Sequence, residues 1–62
     1  MDNATGNEDN NMKNYKVILR SAPWIFWFEQ GISPTEAVSK VVASLNQQGY
    51  PYVGRDFKAE LS

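Results

Sequence analysis

The side chains able to do acid–base chemistry in the body of this sequence are the carboxylates of Glu29, Glu36, Asp56 and Glu60, and none stands in a recognisable constellation with another. Catalysis needs titratable groups that converge on one reacting atom, commonly with a histidine or cysteine among them. The chain has no histidine and no cysteine. It therefore lacks the commonest general base, the usual partner of a Ser or Cys nucleophile, and the commonest metal ligands. Glu36 fits a helix cap, Glu60 a strand alternation and Asp56 a turn, which leaves Glu29 alone without an evident structural duty. Gly31, Gly49 and Gly54 are isolated, and none precedes a Lys-Ser/Thr pair, so no phosphate loop is present. The carboxylate spacings match no calcium or zinc site. The expectation is a protein that is not an enzyme and has no cofactor and no metal.

A second kind of chemistry is recognition by aromatic and basic side chains. Trp24-Ile25-Phe26-Trp27-Phe28 is an unbroken run of large apolar residues, with Lys16, Arg20 and Lys58 elsewhere in the chain to flank it. What that run recognises depends on which of its side chains the fold leaves in water, and so on the elements that hold it.

Tyr15, Val17 and Leu19 alternate with Lys16, Ile18 and Arg20, the period of a half-buried strand. Pro23 removes a backbone donor and restrains the residue before it, so a turn or sharp bend is expected at Ser21-Ala22-Pro23. The WIFWF run is short and rich in β-formers, which predicts a second strand from Trp24 to about Glu29–Gly31. Ser33-Pro34-Thr35-Glu36 places an N-cap serine, a proline at the first helical position and a capping-box glutamate in order. Gly49 supplies the closing left-handed residue, and Ala37, Val38, Val41, Val42 and Leu45 form one apolar face between these signals. Tyr50-Pro51-Tyr52-Val53-Gly54 reads as a loop. Phe57, Ala59 and Leu61 alternate with Lys58 and Glu60 as a last short strand. Residues 1–12 carry Asp2, Glu8 and Asp9 without a basic group and little that is apolar, and read as a disordered acidic, Asn-rich tail.

These elements predict an α+β fold: a small β-β-α-β domain over 13–62, with one helix packed on a three-stranded sheet in the order 2-1-3. The alternative is that Tyr15 to Phe28 forms one bent strand exchanged between two chains. With 62 residues, only roughly 60% of the unfolded surface is buried, so the core is small. On the helix-covered face the alternation is read as Tyr15, Val17, Leu19, Trp24, Phe26, Phe28, Phe57 and Leu61. The opposite face then receives Ile18, Ile25 and Trp27, with Lys16 and Arg20 nearby and Tyr52 at the edge.

Contiguous exposed apolar surface usually marks an interface. Trp27, Ile25, Ile18, Lys16, Arg20 and Tyr52 are accordingly the expected partner-binding residues, with Trp27 as principal anchor. The expected partner is a protein, a larger enzyme or complex whose surface the chain occludes as inhibitor or adaptor, in the general layout of small virus- or plasmid-type regulators. A homodimer is compatible with the same surface. The alternatives are a sheet face that stacks single-stranded nucleic acid, and a small accessory subunit of a larger assembly. The net charge of −1 gives nucleic acid no strong electrostatic support. No apolar run approaches the roughly 20 residues of a membrane span, and the start lacks the regions of a signal peptide, so no membrane association and a cytoplasmic location are expected.

Overall fold

The computed structural model of the chain describes residues 12–62, and the expectation of a disordered tail falls, Met12 apart, outside the described residues. Strand β1 runs over Lys13–Leu19, β2 over Phe26–Gly31, helix α1 over Pro34–Gln47 and β3 over Phe57–Leu61, the last preceded by a 3-10 turn at Gly54–Asp56. The sheet has three strands in the order β2-β1-β3, with β1 antiparallel to both neighbours. The fold is α+β, with the helix on one face. β1 and β2 pair within one chain, which corrects the exchanged long strand: the chain reverses between them, with Ala22 N–H donating to Leu19 C=O (3.1 Å) and Ile25 N–H to Ala22 C=O (2.8 Å).

Both ends of α1 are closed by local chemistry. Ser33 Oγ accepts from Glu36 N–H at 3.2 Å, and Glu36 Oε1 accepts from Ile32 N–H at 2.7 Å. The glutamate thus reaches one residue beyond the N-cap but still satisfies a donor at the helix entrance. At the other end Gly49 has φ 98°, Tyr50 N–H donates to Leu45 C=O (2.9 Å) and Gly49 N–H to Asn46 C=O (3.0 Å), the paired bonds of a Schellman closure. Asn46 Nδ2 then donates to the carbonyls of Tyr50 (2.7 Å) and Tyr52 (3.1 Å), which ties the following loop to the helix. Ser33→Ala removes the first cap and is expected to cost about 1 kcal/mol. For a domain of this size that is a fall in melting temperature of roughly 4–8 °C, read by circular dichroism.

Tyr15, Val17 and Leu19 of β1, Ala37, Val41 and Leu45 of α1, and Phe57 of β3 are buried together. Around them Trp27 lies edge-to-face on Phe57 (ring centroids 5.6 Å apart), as does Tyr52 (5.5 Å). The side chains of Trp24, Phe26, Phe28 and Leu61, expected in this core, are exposed, and β2 begins at Phe26 rather than Trp24.

The register explains the correction. Leu19 N–H donates to Ile25 C=O at 3.1 Å, and Val17 stands opposite Trp27. Directly opposed residues share a face, so Ile25, Trp27, Glu29 and Gly31 lie with Leu19 on the helix side, while Phe26, Phe28 and Gln30 lie on the open side. A slip of one residue would exchange the two sets. Gly31 opposes it: it is buried, and a Cβ there would crowd Ala37 N at 3.1 Å and Glu36 Oε1 at 3.0 Å. Where the helix entrance crosses β2 a glycine is the least crowded choice, and it favours the parity that runs from Gly31 back to Trp27.

Candidate protein-binding surface

The open face of the sheet divides into an aromatic half and a charged half. On the β2 side lie Phe26 and Phe28, 43% and 67% exposed, with rings edge-to-face at 5.5 Å. Ile18 of β1 stands opposite Phe26 and is only 7% exposed, because it sits on the central strand between Phe26 and Lys58. Lys16 is half-buried and holds its ammonium 4.4 Å from the centre of the Phe26 ring, a cation–π contact. On the β3 side Lys58 and Glu60 form an ion pair at 3.3 Å. Toward β2's end Gln30 Nε2 donates to Asn14 Oδ1 at 3.1 Å. Trp24, in the reversal that leads into β2, is 76% exposed. Phe26 and Phe28 thus crowd one side of the open face, bordered by charged groups that have already found partners.

The backbone of β2 adds a second feature. Because Leu19 bonds Ile25, the alternation of an antiparallel ladder turns the N–H and C=O groups of Ile25, Trp27 and Glu29 toward β1 and those of Phe26, Phe28 and Gln30 outward. Lys40 Nζ donates to Gln30 C=O at 2.8 Å, as this parity requires. On the opposite edge of the sheet Phe57 is already consumed, its N–H by Gly54 C=O and its C=O by Arg20 Nε at 3.0 Å.

The residues expected to act together fall into separate places. Lys16 and Ile18 are on the open face, as expected. Trp27 is on the other side, half-buried against Phe57, and this overturns its assignment to the exposed face. Ile25 and Tyr52 go with it: with Leu19, Leu45, Gln48 and Tyr50 these three line a cleft of about 360 Å³ where the helix C-terminus meets the reversal between β1 and β2. Tyr50 and Tyr52 stack at 6.4 Å along its rim. Arg20 turns to the β3 edge, where its side chain bonds the Phe57 carbonyl and its N–H bonds Asp56 C=O at 2.8 Å. Its role there is structural, since it ties the reversal after β1 to the start of β3.

Phe26, Phe28 and Trp24 are the surface aromatics that the residue pattern alone assigned to the core. Gly31 was the available signal, because a glycine at the end of an aromatic strand marks close backbone approach and fixes which alternate residues share its side.

Among the described residues no group of His, Cys, Asp and Glu side chains could hold a metal ion, and no helix is long and apolar enough to cross a membrane. No family model matches the chain, and neither a curated protein nor a solved structure does.

Proposed function

We propose that the chain is a non-catalytic protein-binding module, a regulator or inhibitor that covers a surface of a larger enzyme or complex. The observation that carries the reading is the aromatic half of the open sheet face, Phe26 and Phe28, with Trp24 also exposed in the reversal that leads into β2, where a small domain has most to gain from burial. A buried large apolar side chain is worth roughly 1.5–3 kcal/mol, so these rings are the natural anchors in place of Trp27. Lys16 and Ile18 frame them.

The second reading, stacking of single-stranded nucleic acid, draws on the edge-to-face Phe26–Phe28 pair with Lys16 and Lys58 on the same face. It is the weaker of the two because Lys58 is paired with Glu60 and Lys16 is spent on Phe26.

Phe28→Ser separates the two readings and tests the first. Its ring is 67% exposed, so the stability change is expected to stay below about 1 kcal/mol. Affinity for the protein partner captured by the wild type falls at least roughly tenfold, the scale of one interface hot spot. Capture that persists at high salt and is lost in Phe28→Ser is the expected result. Equal capture by the variant overturns the assignment of the site, and capture of nucleic acid that weakens steeply with salt favours the second reading.

A further inference from the structure

We infer that the outer edge of β2 is a pairing site for a second copy of this chain, with the two β2 strands antiparallel about a two-fold axis through Trp27. The inference rests on the same exposed strand as the proposed binding role and specifies one of its occupants.

An open edge offers backbone groups only at every second residue, and on β2 these are Phe26, Phe28 and Gln30. Lys40 already occupies the Gln30 carbonyl. What remains complete is Phe26 and Phe28, two residues apart, with both N–H and both C=O groups unpaired among the described residues. A pair with that spacing is self-complementary. In a two-fold arrangement about Trp27 the Phe26 of one copy faces the Phe28 of the other, and every one of these groups finds a partner. On the β3 edge Gly54 and Arg20 have consumed Phe57, and the outward pair that remains, Ala59 and Leu61, alternates with the charged Lys58 and Glu60, lysine being a common guard of an edge strand.

Side chains and charge agree with this register. Natural edge strands are commonly guarded by lysine, proline or a bulge. The β2 segment FWFEQG has none of the three guards along Phe26 and Phe28, and its one charge is Glu29. Glu29 faces Ile25 of the other copy, and the two Glu29 positions are offset along the strands by about 13 Å, at roughly 3.4 Å per residue, beyond the Debye length of ~8 Å. On the open face each cross-strand row then reads Lys58, Ile18, Phe26 from one copy and Phe28, Lys16, Glu60 from the other. Apolar groups meet in the middle, with a cation at one end and a carboxylate at the other. The two three-stranded sheets become a single continuous one.

The area sets the strength. At 150–250 Å² for a whole aromatic side chain, the exposed parts of Phe26 and Phe28 amount to about 200 Å² per copy. Two copies therefore bring about 400 Å² of aromatic surface to the seam before Ile25 and the backbone are added, below the ~1,200 Å² of a standard specific interface and in the range of weak, transient ones. A dissociable dimer in roughly the micromolar range is expected rather than a permanent one.

The test is the solution mass of the full chain by light scattering across concentration, with hydrogen exchange at the Phe26 and Phe28 amides. The expected result is a rise from 7.0 kDa toward twice that mass, with amide protection that grows in step. A mass that stays at 7.0 kDa up to about 1 mM, well above a micromolar dissociation constant, overturns the inference. If those amides are then protected at every concentration, the edge is covered by residues 1–11 of the same chain instead. Phe28→Pro deletes an outward N–H without touching the ladder to β1, and is expected to be monomeric.

Should Phe28→Pro fail to fold, a mixture of Phe26→Cys and Phe28→Cys tests the register, since the chain has no other cysteine. In this register positions 26 and 28 of different copies lie about 5.5 Å apart, within disulfide reach, whereas like positions are roughly 7–8 Å apart. Mixed 26–28 disulfides should form in at least roughly tenfold excess over like-with-like ones, and an even distribution overturns the register. Failure here and failure of the binding role are distinguishable: a monomer that captures its protein partner removes the dimer alone, and a dimer that captures nothing removes the binding role alone.

Discussion

Trp27→Ala is expected to cost about 3 kcal/mol and leave the domain marginally stable at 25 °C, whereas Trp24→Ala is expected to change its stability by no more than about 0.5 kcal/mol. The residues are three positions apart in one aromatic run, and composition does not distinguish them. Trp27 lies edge-to-face on Phe57 on the helix-covered side and forms one wall of the cleft with Leu19, Leu45 and Tyr52. Truncating a packed tryptophan costs about 3–5 kcal/mol when burial is complete. Trp27 is half-buried, so about 3 kcal/mol is expected. A core of this size rarely supplies more than ~3–5 kcal/mol in total, so that loss consumes most of it. Trp24 is 76% exposed, and its removal takes little from the folded state. Urea unfolding followed by far-UV circular dichroism measures both. If Trp27→Ala retains a cooperative transition within 1 kcal/mol of wild type, an energy taken from the ~1 kcal/mol mean of all substitutions, Trp27 is not part of the core.

The contrast between these tryptophans shows where residue patterns suffice. Helix α1 was legible because its signals are local: Ser33, Pro34 and Glu36 at one end, Gly49 at the other and a valine face between them. The order β2-β1-β3 was legible because a helix between two strands, together with a strand left over, allows few arrangements. The face presented by WIFWF was not. Every position in the run is apolar, so period-two alternation satisfies either register equally, and the choice is made at a distance by the reversal at Arg20–Trp24 and by Gly31 against the helix entrance. That one parity relocated Trp27 and Ile25 to the cleft and sent Phe26 and Phe28 to the open face. The error was therefore confined to the candidate site and left the fold untouched. Lys16 and Ile18 kept their place because Asn14 and Lys16 mark one face of β1 as the polar one, and Ile18 on that face exchanges water for its neighbours on both flanking strands.

Phe57→Ala is expected to be more damaging still, at about 3–5 kcal/mol, because the ring is 2% exposed and fully enclosed. It meets Trp27 edge-to-face at 5.6 Å and Tyr52 edge-to-face at 5.5 Å, so it joins the sheet to the loop after α1. Its backbone is committed as well: N–H to Gly54, C=O to Arg20, which together hold the 3-10 turn against the start of β3. Alanine keeps those backbone bonds and removes only the ring, so the loss reports packing. Since the alanine variant is expected to unfold, the informative comparison is Phe57→Leu, which keeps most of the apolar volume and forfeits the aromatic pairs, each worth about 0.5–1.5 kcal/mol beyond its buried area. A double-mutant cycle of Phe57→Leu with Tyr52→Leu should show coupling of about 0.5–1.5 kcal/mol by denaturant unfolding. Additive changes in that cycle would mean that the loop rests on Asn46, which binds the carbonyls of both Tyr50 and Tyr52, and that the ring contact contributes little. The same cycle bears on the interface: if Tyr52 and Phe57 are coupled, the cleft beside Trp27 is a wall of the core, and recognition is left to the opposite face, where Phe26 and Phe28 stand in water.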